Sequence, residues 1–171
     1  MTTPLEALRA DLAANSANPR GMLAVTGYRL AQAARSTLPR PLAKVVELVY
    51  AFAWLALLGL ELPPHVEAGP GLAIFHTSGI VLNPASKLGS GVTLRQNTTL
   101  GALPGPSGEH DMAPVIGDNV DLGASVLIIG PITVGDGAVV GAGAVVTKDV
   151  PPGCVARGNP AVVVEGTPPA S

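Results

Sequence analysis

The chain has 171 residues, a formal net charge of −2, and is 47% hydrophobic but only 13% charged. That length fits one compact unit, or one domain with a small appendage, and the absence of Lys/Arg clusters argues against a nucleic-acid surface. The single cysteine, Cys154, permits no internal disulfide, so a reducing cytoplasm is expected; following Pro151-Pro152-Gly153 with no metal-ligand spacing around it, it reads as structural.

The opening MTTPLEALRADLAANSA lacks an apolar core between a basic front and a small-residue cleavage site, so no signal peptide is expected. Three helices are expected in a cap over residues 1–61, near 4–14, 21–36 and 41–60, the last stopping before Pro63-Pro64. Leu48 to Leu60 carries no charge, but thirteen residues fall short of the ~20 needed to span a bilayer. Burial against the rest of the chain or against a partner subunit is therefore expected, with peripheral membrane contact as the alternative.

From Ile116 onward every sixth residue is a branched aliphatic: Ile116, Leu122, Ile128, Val134, Val140 and Val146. Six fits neither a helix nor a simple strand, but it suits a coil that makes one straight edge and one corner per repeat, three edges closing a triangle. Two residues before each anchor, Val120, Val126, Ile132, Ala138 and Ala144 supply a second inward row, and Asn119, Gly137 and Gly143 fall at corners, where positive φ is needed. Upstream the same register holds in Ala68, Ile74 and Ile80 and, after a two-residue slip, in Leu88, Leu94 and Leu100. Between Leu100 and Ile116 the step breaks in a Pro- and Gly-rich stretch, so residues 101–115 are expected to leave the coil as an extruded loop. The fold class is mainly β, a parallel β-helix over residues 62–160 with an α-helical cap, and the tail 161–171 adds a short apolar strand before fraying. The rule for parallel crossovers would make such a coil right-handed.

The stretch GPGLAIFHTSGIVLNP, the run GAGAVVTKDVPPG and the closing GNPA at Gly158 to Ala161 carry a resemblance from Leu62 to about Pro160. There the chain resembles the hexapeptide-repeat acyltransferases, in their serine O-acetyltransferase branch, and its helical start is similar to that of short polysaccharide-cluster members such as the colanic acid acetyltransferases. The resemblance implies a left-handed parallel β-helix, a homotrimer with active sites between subunits, and acetyl-CoA as co-substrate with no metal.

Moving an acyl group from a thioester to a hydroxyl needs a base for the hydroxyl proton, and histidine is the usual one. Of His65, His76 and His110, His76 matches the family's catalytic histidine, and Glu61, fifteen residues earlier, matches the acidic partner that orients the imidazole, where an aspartate is usual. His110, in the loop, matches a second active-site histidine only with a three-residue shift, which leaves an active-site and a solvated role both open. His65 matches no motif. For coenzyme A the resemblance implies Ala124, Ala142, Thr147 and Lys148, small residues along the pantetheine arm and a cation for the nucleotide phosphates, with Gly101 and Ala102 offering amides to the thioester oxygen. Two arginine positions of the galactoside-acetylating branch fall on Val162 and Glu165. For the acceptor, Phe75 stands where serine acetyltransferases have an acid and Glu109 is nearest to their loop arginine, while Asn18 replaces an N-terminal acid. Without that charged clamp a neutral hydroxyl acceptor, a sugar or saccharide intermediate, is favoured at this point, with serine as the alternative. A γ-carbonic-anhydrase-like zinc protein and a non-catalytic scaffold are the distant readings; the three histidines lack the paired spacing of zinc ligands.

Overall fold

The anchors of the six-residue step line the inside of a parallel β-solenoid, in a computed structural model that describes residues 3–106, 108–109 and 111–166. Three walls enclose the core. The first stacks β1 (Leu60–Glu61), β4 (Ile80–Leu82), β7 (Thr99–Gly101), β10 (Leu127–Ile129) and β13 (Val145–Val146). The second holds β2 (Glu67–Ala68), β5 (Lys87–Leu88), β8 (Val115–Ile116) and β11 (Thr133–Val134). The third runs through β3 (Ala73–Phe75), β6 (Thr93–Arg95), β9 (Asp121–Leu122), β12 (Val139–Val140), β14 (Val155–Arg157) and β15 (Val162–Val164). All neighbours pair in parallel except β15, which turns back antiparallel on β14 and covers that end of the wall.

Anchors stack directly: Leu82, Leu100, Ile128 and Val146 in one column, Ala68, Leu88, Ile116 and Val134 in another. Val120, Val126, Ile132, Ala138 and Ala144 are also buried, giving each strand end a second inward contact. Since each apolar side chain meets its counterpart one coil above and below, the core is a continuous rod rather than a cluster. At the corners Asn119, Gly137 and Gly143 have φ of 55°, 66° and 71°, the left-handed bend that a coil of six residues requires.

The register moves the slip. The column partner of Leu100 is Leu82, not Ile80, so the two extra residues lie in the corner between β3 and β4 rather than after Ile80. That is the corner carrying His76.

The cap consists of α1 (Pro4–Ala14), α2 (Pro19–Thr37) and α3 (Arg40–Leu58). Helix α2 starts at Pro19 because Asn18 caps it, accepting from the Gly21 amide at 3.1 Å. Helix α3 stops at Gly59, whose φ of 63° turns the chain into β1; Glu61 therefore belongs to the first coil, not to the cap.

A first coil has an open edge with no neighbour to pair with, and here polar side chains of the cap take the neighbour's place. Asp11 Oδ1 accepts from the amides of Gly71 (2.8 Å) and Leu72 (3.0 Å). Asn15 bonds both the Leu72 carbonyl (2.8 Å) and the Ile74 amide (3.0 Å), and Asn18 donates to the Ile74 carbonyl at 2.6 Å. Arg29 pairs with Asp11 at 2.7 Å and donates to the carbonyls of Ala68 and Gly69. The Tyr28 and Tyr50 hydroxyls donate to the carbonyls of Val66 (2.6 Å) and Leu62 (2.8 Å). Burial pushes both phenols well above their ordinary pKa, so they stay protonated donors.

The expected burial of α3 is realised on one side only. Tyr50 and Leu58 face the coil, Trp54 packs against Gly27 and donates its Nε1–H to the Ala24 carbonyl at 3.2 Å, and Glu47 pairs with Arg35. The opposite side is open, with Leu48 71% and Phe52 74% exposed. Helix α2 already covers the coil end, so α3 is held as an outer layer.

Asp11→Ala leaves a buried guanidinium unpaired and two strand amides without acceptors, so it is expected to cost about 3–5 kcal/mol. Urea denaturation checks it, with exposed Glu67→Ala as the control expected within ~0.5 kcal/mol of the parent.

Candidate active site

The corner between β3 and β4 is two residues longer than the equivalent bends below it, and the excess pushes His76 out to solvent with φ 56°. It is not loose. The buried Thr77 hydroxyl donates to the Leu58 carbonyl at 3.0 Å, and the Gly79 amide donates to the Gly59 carbonyl at 2.8 Å. Helix α3's C-terminus thus clamps the residue next to the histidine.

Glu61 is exposed on β1, in register with Val81 of β4. No hydrogen bond joins Glu61 to His76 among the described residues; the two lie on adjoining faces of the same corner. His65 is elsewhere, its Nε2 against the Arg35 guanidinium, away from His76 on the far side of the first coil. His110 lies outside the described residues. Among the described residues between β7 and β8, the Leu103 amide donates to the Met112 carbonyl at 3.0 Å and the Gly105 amide to the Glu109 carbonyl at 2.7 Å, so Leu103 and Met112 pair antiparallel outside the coil, and Glu109 is exposed.

Phe75 is half-buried and, through the β3–β6 pairing, sits directly above Arg95. The Arg95 guanidinium lies 6.0 Å from the Phe75 ring centroid, pairs with the Asp121 carboxylate, and donates to the Leu122 carbonyl at 3.2 Å. Arg95 and Asp121 are each about one-third exposed, so this ion pair presents an open edge beside the His76 corner. Neither residue stands in a motif that the sequence alone marks as functional. Their signal was present: Arg95 follows its anchor Leu94 as Phe75 follows Ile74, and laying the coils in register aligns them.

The residues expected to hold coenzyme A fall on two edges of the prism. Ala124 and Ala142 occupy the same corner as His76 in lower coils, joined by the Gly143 amide donating to the Ala124 carbonyl at 2.8 Å. Gly101 and Ala102 at the end of β7, and Thr147 and Lys148 after β13, lie on the next edge. A Cβ at Gly101 would lie 3.1 Å from the Ile129 side chain, a tight fit that asks Ile129 to shift by a few tenths of an ångström. Thr147 and Lys148 are exposed.

Comparison with known proteins decides the family. Residues 115–148 match the family model of the hexapeptide repeat of succinyl-transferase. A serine acetyltransferase of Helicobacter pylori is 33% identical over 144 residues, covering 84% of this chain and 81% of that protein. The chain belongs to the serine acetyltransferase family. Serine acetyltransferase 2 of Arabidopsis thaliana is 38% identical over 108 residues, covering 63% of this chain and 33% of the relative. This family member thus spans only about a third of the length of the Arabidopsis protein. Among solved structures, soybean serine acetyltransferase without ligand matches at a TM-score of 0.81 and 33% identity, covering 95% of this chain and 69% of that one; the soybean enzyme complexed with serine matches equally well.

Thr77→Val removes the hydroxyl that pins this corner and strands the Leu58 carbonyl, at an expected cost of about 1–2 kcal/mol. Thr77→Ser should restore most of it; chemical denaturation of the three proteins is the check.

Proposed function

We propose that this chain is an acetyl-CoA-dependent O-acetyltransferase in which His76 is the general base, and that L-serine is its acceptor. The observation that carries the reading is the match over four-fifths of the Helicobacter pylori serine acetyltransferase, together with a histidine displayed on a lengthened, clamped corner. His76 takes the proton of the acceptor hydroxyl as its oxygen attacks the thioester carbonyl, then returns the proton to the departing thiolate. Glu61 is assigned the orienting carboxylate, its side chain swinging toward the imidazole when substrate binds. The oxyanion faces amides at Gly101 and Ala102, and Lys148 meets the nucleotide phosphates. Because the base and the Gly101–Lys148 group stand on different edges of one prism, a complete site needs the edge of a second subunit, which supports a trimer.

The missing loop arginine weighs less against serine than the motifs alone imply. Arg95 supplies a partly exposed guanidinium beside Phe75, a cation that could meet the serine carboxylate in place of the loop arginine. The same cluster favours a second reading: Arg95 is already neutralised by Asp121, and an aromatic ring beside a donor–acceptor pair suits a neutral hydroxylated ring such as a sugar. A panel of acceptors at fixed acetyl-CoA separates the two. L-serine is expected to show the highest kcat/KM, and Arg95→Ala to raise its KM about tenfold or more, the loss of one charge-assisted contact. A glycoside or polyol outrunning serine would establish the second reading.

His76→Ala is expected to lower kcat by ~10²–10⁴ while leaving coenzyme A affinity nearly intact. Collapse of kcat in His110→Ala with His76→Ala near normal would move the base to the loop. Lys148→Glu should weaken coenzyme A binding without lowering Tm, read by calorimetry and thermal melts, and light scattering should give a trimer mass.

A further inference from the structure

Helix α3 is long and apolar enough to cross a membrane by length and composition, yet its inner side is stitched to the first coil through Tyr50 and to α2 through Trp54 and the Glu47–Arg35 pair. A spanning orientation would tear those contacts. The outer side displays Val45, Leu48, Val49, Phe52, Leu55 and Leu57, all more than half exposed. At ~100° per residue these positions and the exposed Leu42 span an arc of about 200°, just over half the helix circumference and wider than the two-position seam of a helix–helix contact. The surface is convex, with no hydrogen-bonding group among those side chains to fix a partner's register. It suits a fluid apolar phase better than a shaped protein surface.

Charge points the same way. Residues 1–59 carry six Lys and Arg against three Asp and Glu, whereas the rest of the chain carries four against nine. Two of the cap's three acids are spent internally, Asp11 on Arg29 and Glu47 on Arg35. On α3 itself the exposed charges are Arg40 and Lys44, both at its N-terminal end, and neither has an ion-pair partner among the described residues. A broad apolar face with cations at one end, on the positive part of an otherwise acidic protein, is the arrangement that places a helix in the headgroup layer of anionic lipid, where the cations meet the lipid phosphates.

We infer that the outer face of α3 docks on an anionic lipid surface, the helix lying in the interface plane and holding the solenoid against the membrane. This does not rest on the proposed reaction. Flotation with vesicles of phosphatidylcholine alone, and of phosphatidylcholine mixed with phosphatidylglycerol, tests it on the full chain. The protein should float with the mixed vesicles and much less with the neutral ones. Leu48→Glu combined with Phe52→Glu should cut the bound fraction ~tenfold or more, since each residue buries a large apolar side chain. The same variant should keep its circular dichroism and its lipid-free mass, because neither side chain is part of the core. Arg40→Glu with Lys44→Glu should reduce binding to the level seen with neutral vesicles. Absence of flotation, or flotation unchanged by the Leu48 and Phe52 substitutions, overturns the inference. A lipid-free assembly that those substitutions break apart also overturns it and assigns the face to a second copy of the chain.

Discussion

Everything in this molecule depends on ending a stack of coils without leaving backbone groups stranded. A solenoid satisfies each strand with the next, so its first coil has amides and carbonyls that face no neighbour, and buried orphans of that kind cost about 1–3 kcal/mol apiece. Asp11, Asn15 and Asn18 replace the missing strand along β3, reading its amides and carbonyls much as another backbone would. Arg29 neutralises the carboxylate this brings inside.

That solution also positions the chemistry. The hydrogen bonds of Asn15 and Asn18 end at Ile74, one residue before Phe75 and two before His76, while Thr77 is tied to the end of α3. Cap and corner are therefore one mechanical unit: the helices that close the solenoid also hold the proposed base. The lower coils are plainer, six residues per edge, and at the same corner they carry Ala124 and Ala142, which leave room along the prism for a ligand running parallel to its axis. Arg95 and Asp121 interrupt that plain surface one and two coils below Phe75.

A cap made of side chains has a second consequence. Helix α2 spends its inner surface on the coil edge, and α3 reaches the coil through Tyr50, Leu58 and its last turn. The rest of its inner side packs on α2 through Trp54 and Glu47, and its outer face is left apolar and uncovered within one protomer. The closure that stabilises the solenoid thereby generates a broad exposed apolar surface.

The six-residue spacing was enough to determine the coil, its inward rows and its positive-φ corners, because in a repeat each residue's environment is set by its neighbours one period away; His76 became a candidate base only through the motif resemblance around it. Glycine and asparagine at fixed offsets reveal such corners without coordinates. What spacing could not resolve was where the irregularity lies: Ile80 and Leu82 are both buried, so the sequence allowed the slip on either side, and only the pairing of Leu82 with Leu100 placed it at the histidine. The Arg95–Asp121 pair stayed hidden for a related reason, since its members are twenty-six residues apart and meet only when coils stack. The exposure of α3 was equally illegible, because an apolar run is the same letter string whether it faces a core or the solvent. Local periodicity is written in the chain; which surface remains uncovered is decided by how the cap and the coil share a limited amount of contact.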